Sequence, residues 1–123
     1  MALIRRGLEK ALSETSMATI EWTEKFLSIL NRYIDEARTE YGRATALRWA
    51  EEIATMEERL RIYPLSYSPE RLLLGRAITY RRCHVMNRRF KIIYYYDEKE
   101  DVVHLIDIWD TRRNPKMLVR RVK

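Results

Sequence analysis

The stretch RFKIIYYYDEKEDVVHLIDIW, Arg89 to Trp109, decides the fold. It holds two runs rich in β-branched and aromatic residues, Arg89–Tyr96 and Val102–Trp109, joined by the acidic turn Asp97–Asp101. A connection this short makes the pair antiparallel. On the first run, Phe90, Ile92, Tyr94 and Tyr96 share one face, and Arg89, Lys91, Ile93 and Tyr95 share the other. The second run is nearly all apolar, so it reads as a central strand buried on both faces. Immediately upstream, Arg76–Val85 reads as a third strand, with Asn87 marking the turn between it and Arg89. The three form an antiparallel meander.

Working outward, the period changes from two to that of a helix. Phe26, Leu30, Tyr33, Ala37 and Tyr41 form an apolar stripe on a helix over 24–41, widened by Leu27 and Ile34, with Thr23 placed to cap its start. Gly42 ends that helix, and a second runs over 43–62 on Leu47, Ala50, Ile53, Ala54, Met56 and Leu60, with Trp49 beside them. So tight a junction predicts an antiparallel helical hairpin that covers one face of the sheet. Pro64 stops the second helix, and 64–75 is a loop. Met17–Trp22 alternates as a short strand that joins the sheet at an edge. Residues 3–14 carry Leu3, Ile4, Leu8, Ala11 and Leu12 at helical spacing, so 1–16 reads as a helical extension of a compact domain at 17–123. Beyond Pro115 the spacing allows a short terminal helix with Met117, Leu118 and Val122 on one side, either a solvated tail or a docking element for an anionic partner. Grouped helices followed by grouped strands predict an α+β fold.

At 123 residues the chain has room for one domain. With 46% apolar and 34% charged residues it is globular in composition, and 3 Gly and 3 Pro exclude a loop-rich or collagenous fold. No apolar run approaches the ~20 residues that span a bilayer. A single cysteine, Cys83, and an N-terminus interrupted by Glu9, Lys10 and Glu14 point to a reducing, cytoplasmic setting without a secretory signal. The charge is uneven: residues 1–70 hold 10 basic and 12 acidic side chains, and residues 71–123 hold 14 basic and 6 acidic, so a net +8 is loaded into the second part. That asymmetry suits a polyanion or an acidic protein as partner, against the plainer reading of a solvated surface.

No glycine-rich phosphate loop, zinc-type Cys/His set or nucleophile elbow is present, so neither a metal nor a cofactor is expected. His84 and His104 lack a local partner pattern and read as surface or sheet-packing residues, and Cys83 reads as a small strand residue. The basic residues remain. Arg81 and Arg82 are adjacent on a strand, so one points to each face. Lys91 and one of these arginines would be presented on the face away from the helices, where basic groups among tyrosines suit phosphates and bases. Tyr94 and Tyr96 read as core. Arg112, Arg113, Lys116, Arg120 and Arg121 follow the last strand, and Asp110 is placed to pair with one of the first two.

Three stretches together resemble the RelE/ParE superfamily of bacterial toxins from type II toxin–antitoxin systems, over about residues 18–118. They are IEWTEKF at Ile20–Phe26, RRFKIIYYYDE at Arg88–Glu98, and VVHLIDIWDTRRNPKML at Val102–Leu118. The resemblance implies a small twisted antiparallel sheet with a helical hairpin on one face. It also implies an antitoxin partner, often acidic, that neutralises the toxin. RelE-like members cut messenger RNA on the ribosome. On that reading Arg81, Arg82 and Lys91 fall near the family's basic positions and would clamp the phosphate. ParE-like members poison DNA gyrase instead. The nuclease branch often closes its last strand with His or Tyr, whereas here Trp109 and Asp110 stand there and DTRRNP continues the chain, as in the ParE-like branch. The resemblance therefore favours a ParE-like toxin that contacts its target through Arg112, Arg113, Lys116, Arg120 and Arg121. A ribosome-dependent nuclease and an antitoxin-binding module without activity are the alternatives.

Overall fold

The computed structural model describes residues 17–122. The helix expected over 3–14 lies outside the described residues. Within them, β1 (Thr19–Trp22), α1 (Glu24–Tyr41) and α2 (Arg43–Ile62) precede a single 3-10 turn at Arg71–Leu73. Then come β2 (Arg81–Val85), β3 (Phe90–Asp97), β4 (Val102–Asp110) and α3 (Pro115–Arg121). The order in the sheet is β1-β4-β3-β2.

The apolar strand β4 lies centrally, between β1 and β3, as its composition requires. β2, β3 and β4 form the expected antiparallel meander, while β1 adds to β4 in parallel, so the sheet is mixed rather than wholly antiparallel. No short turn links β1 to β4, so nothing local fixes their relative direction. The Thr23 hydroxyl accepts the Phe26 N–H at 2.9 Å and starts α1 directly after β1. Gly42, at φ 97°, makes the reversal between the two helices with a backbone angle that side chains rarely adopt.

The hairpin covers one face through Phe26, Ile53, Met56 and Leu60, packed on Ile92, Tyr94, Val103, Leu105 and Ile108. Tyr94 is fully buried in this core and Tyr96 packs against it half-buried. The helical stripes are narrower than their sequence suggests: Leu27, Tyr41, Leu47, Ala50 and Ala54 are exposed. Between Leu105 and Asp107 the pairing with β3 skips Ile106, a bulge. It lets Leu105 and Ile108, three residues apart, both face the helices.

The second face of the sheet is covered as well. Leu118 and Val122 of the C-terminal segment pack with Leu73, Tyr80, Ile93 and Trp109. The tail is thus a docked helix, and its apolar side is Leu118 and Val122, with Met117 exposed. Arg76 donates to the Val119 carbonyl at 2.8 Å and to the Val122 carbonyl, satisfying the end of α3. The strand expected to begin at Arg76 starts only at Arg81, and Arg76 serves this contact instead.

Candidate functional site

One end of the sheet gathers the basic residues. The β2–β3 turn holds Met86, Asn87 and Arg88 in succession at φ 51°, 55° and 66°, an arrangement that costs side-chain-bearing residues roughly 1–2 kcal/mol each. Two anchors hold it. Glu52 of α2 accepts the Met86 N–H at 2.8 Å. Thr111, just after β4, donates its hydroxyl to the carbonyls of Arg88 and Arg89 at 3.0 and 2.8 Å, and its N–H to Arg89 at 2.9 Å. Thr111 therefore locks the DTRR segment against the β2–β3 turn. Arg89 and the Asp110–Arg112 pair lie on the helical side of this end, and Arg113 lies over Trp109 on the other side. Backbone strain maintained by surrounding contacts is typical of functional surfaces.

Each arginine there has a defined setting. The Arg112 guanidinium makes a two-point contact with the Asp110 carboxylate, at 3.1 and 2.9 Å, and the Arg112 N–H adds a third bond at 3.0 Å. These bonds hold the Asp110 carboxyl below its ordinary 3.8, the side-chain bond from Arg112 acting most strongly and outweighing burial. Arg89 lies over the rings of Phe90, Tyr41 and Trp49 at 5.2–5.8 Å and donates to the Tyr41 hydroxyl at 2.8 Å. Arg113 lies over Trp109 at 5.0 Å. Arg88, Lys116 and Arg120 are exposed.

The remaining sequence-derived candidates are placed differently. Arg121 stacks on Trp109 at 5.1 Å and pairs with the buried carboxylate of Asp107, which Lys25 also approaches at 3.6 Å. Arg121 is thus a fastening of α3 to the sheet. Arg81 and Arg82 point to opposite faces, as their adjacency requires. Arg81 donates to the Tyr67 carbonyl at 2.8 Å on the helical side, and Arg82 donates to the Pro69 carbonyl at 2.5 Å. Lys91 is not presented to solvent: its ammonium sits 2.6 Å from Glu70, a carboxylate only 3% exposed. The structure therefore does not bring Arg81, Arg82 and Lys91 to one point. Beside Lys91, His84 is kept neutral further down the pH scale than an ordinary histidine, first by burial and then by Arg88, Arg82 and Lys91. Cys83 is buried, and burial raises its thiol pKa, which suits its reading as a strand residue. Among the described residues, no three His, Cys, Asp or Glu side chains are grouped to hold a metal, and no helix is long and apolar enough to cross a membrane.

Glu70, Arg76 and Asp107 are the consequential side chains that sequence reasoning passed over. The signal at Asp107 was legible, since an acid inside an otherwise apolar central strand needs cationic partners. Glu70 and Arg76 gave no such signal, because each sits in an irregular segment.

The model of the ParE toxin of the type II toxin–antitoxin system parDE matches residues 20–115, from β1 to the start of α3. The chain belongs to the ParE toxin family. The matched span includes both the β2–β3 turn and the DTRR segment locked to it. Membership in this toxin family implies an antitoxin as partner. Among solved structures, the chromosomal ParDE toxin–antitoxin system from P. aeruginosa aligns with a TM-score of 0.61 at 16% identity, covering 77% of this chain and 97% of that one. At that identity the likeness shows the fold. The isolated E. coli RelE toxin aligns with a TM-score of 0.47 at 14% identity, over 86% of this chain and 99% of that one. Curated protein sequences give no significant match.

The Asp110–Arg112 contact has a defined pH dependence. A carboxyl whose pKa is depressed by folding stabilises the fold above the unfolded value and loses that contribution as pH falls through the folded one. The stability difference between the native protein and Asp110→Asn is expected to be full above about pH 4 and to shrink on further acidification. Urea midpoints of both proteins between pH 7 and pH 3 test this. A difference constant across that range would reject the assignment.

Proposed function

We propose that this ParE-family chain is a growth-inhibiting toxin that binds DNA gyrase through the basic end of the sheet and is neutralised by a cognate antitoxin in the cytoplasm. The observation that carries the reading is the Thr111 lock. It ties the DTRR segment to the β2–β3 turn, so that the exposed Arg88 and Arg112 are carried at one end of the sheet, with Arg113 over Trp109 and the exposed Lys116 and Arg120 of α3 towards the second face. A fixed surface of this kind suits recognition of a large partner, because little side-chain and loop ordering remains to be lost on binding. Its charge suits an acidic antitoxin as readily as an acidic patch on the target.

A second reading, ribosome-dependent cleavage of messenger RNA, draws on Arg82 and the neutral His84, a group able to accept a proton from a 2′-hydroxyl. It is weakened by the commitment of Lys91 to Glu70 and by Arg81 facing the other side. An inactive module that only binds antitoxin would leave growth unaffected.

Induction in cells, with RNA and DNA followed separately, distinguishes the three. DNA breaks and a DNA-damage response without transcript cleavage are expected. Rapid transcript cuts at ribosomal positions would overturn the gyrase reading in favour of the nuclease. Combined Arg112→Ala and Arg113→Ala substitution is expected to abolish growth inhibition; because the buried Asp110 then loses its partner, the unfolding midpoint falls, and the comparison is made with a variant shown by circular dichroism to be folded. Undiminished inhibition by the folded double variant would reject this surface as the contact.

A further inference from the structure

The helical hairpin has a second apolar side. Leu27 of α1 and Leu47 of α2 do not reach the core and are 42% and 58% exposed. Ile34, Ala46, Leu47 and Ala50 line an apolar cleft of about 270 Å³ between the two helices, with Arg38 and Arg43 at its rim. Exposed leucines bordering an apolar cleft ordinarily mark a contact surface.

The spacing along α2 gives this surface a direction. Arg43, Leu47, Ala50, Ala54 and Glu57 follow one another at intervals of four, three, four and three, the repeat of a coiled-coil seam. On α1, Leu27 and Ile34 are seven apart and share a face in the same way. The α2 seam is apolar in its middle and oppositely charged at its ends. It is also symmetric about Ala50: Arg43 and Glu57 stand seven residues to either side, and Leu47 and Ala54 three and four. A second copy laid antiparallel over the first therefore sets Arg43 against Glu57 twice and the large Leu47 against the small Ala54 twice. Ala50 meets its own counterpart. Self-complementarity of this kind is what a two-fold contact requires.

Both charges are available for it. Arg43 is exposed and makes no ion pair among the described residues. Glu57 is half-buried and accepts the Trp22 indole N–H. Burial nevertheless raises its carboxyl pKa, outweighing that bond and the nearby Arg61. A further cation would relieve this. Arg61 itself is engaged by Glu58 at 3.3 Å. Helices of 18 and 20 residues, each ~10 Å across and ~30 Å long, offer roughly 600 Å² per copy, near the lower limit of stable interfaces.

We propose that this seam is a homodimer contact, in which two copies pack their hairpins antiparallel about a two-fold axis at Ala50. A second copy is the occupant rather than an unrelated partner, because the pattern of charge and size is complementary to itself. The hairpin tip adjoins the basic end of the sheet through the bond from Arg89 to Tyr41, so the antiparallel pair carries its two basic ends at opposite extremities. The proposal does not depend on the gyrase reading, and its readout is mass in solution rather than toxicity.

Sedimentation equilibrium of the full chain tests it. A monomer–dimer equilibrium in the micromolar range is expected. Arg43→Glu and Glu57→Arg are each expected to weaken it by about tenfold or more, because like charges then face each other twice. Mixing these two variants is expected to restore the dimer as a heterodimer, since both contacts again pair opposite charges. Leu47→Asp, at an exposed position, is expected to abolish the dimer without lowering the unfolding midpoint. On mild oxidation Ala50→Cys is expected to give a disulfide-linked dimer, and Ser28→Cys, exposed away from the seam, is not. A chain that stays monomeric at 100 µM, a dimer indifferent to Leu47→Asp, or a mixture of the two charge variants that stays monomeric would each overturn the proposal. Monomeric chain whose antitoxin binding is lost in Leu47→Asp would also overturn it, and would give the cleft to the antitoxin.

Discussion

Replacing Trp109 with alanine is expected to destabilise the domain by about 3–5 kcal/mol, the range for removing a buried aromatic ring. Trp109 is 1% exposed and is the largest side chain in the second core. It packs in one cluster with Leu118 and Val122 of the C-terminal segment and Ile93 of β3. Its ring also carries the guanidinium groups of Arg113 and Arg121, at 5.0 and 5.1 Å. One substitution thus removes the packing that holds α3, the stack that positions Arg113, and the floor under Arg121. Equilibrium urea unfolding of Trp109→Ala, with Trp109→Phe as a milder comparison, measures the loss. A cost below about 1 kcal/mol would mean that α3 is held some other way.

Asp107→Ala is the second large effect, expected at about 2–3 kcal/mol. Removing one member of a buried ion pair strands the other, which ordinarily costs 3–5 kcal/mol, and the figure is reduced here because Lys25 and Arg121 each retain access to water. Asp107 is 1% exposed and ties the start of α1, through Lys25, to α3, through Arg121. A double-mutant cycle with Arg121→Met isolates the pair: the combined variant is expected to be less destabilised than the sum of the single ones. Strict additivity would show that the two side chains do not act together.

Both predictions concern the attachment of α3, the part of the fold least legible beforehand. Periodicity exposed the helical hairpin and the meander because Phe26 to Leu60 follow a helical repeat and Phe90 to Tyr96 a strict alternation. The nearly unbroken apolar run at Val102–Trp109 placed β4 at the centre. Three features were beyond that kind of reading. The direction of β1 depends on pairing across more than seventy residues of intervening chain. The bulge at Ile106 shifts the faces of β4 without any glycine to mark it. The docking of Leu118 and Val122 uses two apolar residues in a short basic stretch, too few to show an amphipathic pattern.

The candidate site divides in the same way. Adjacency alone told that Arg81 and Arg82 face opposite sides, and that Asp110 stands beside an arginine. Which charges are committed internally required the tertiary structure. Glu70 claims Lys91, and Asp107 claims Arg121, through contacts between elements distant in sequence. The Thr111 lock likewise joins residues more than twenty positions apart. Family-level resemblance identified the class of protein, and the packing then showed which of its basic residues are engaged internally.

The most direct test of the central claim uses the purified protein with DNA gyrase and supercoiled plasmid. The native protein is expected to trap gyrase on cleaved DNA, yielding linear plasmid, and the folded Arg112→Ala, Arg113→Ala variant to yield none. No effect of the native protein on gyrase, together with transcript cleavage when it is added to a translating extract, would contradict it.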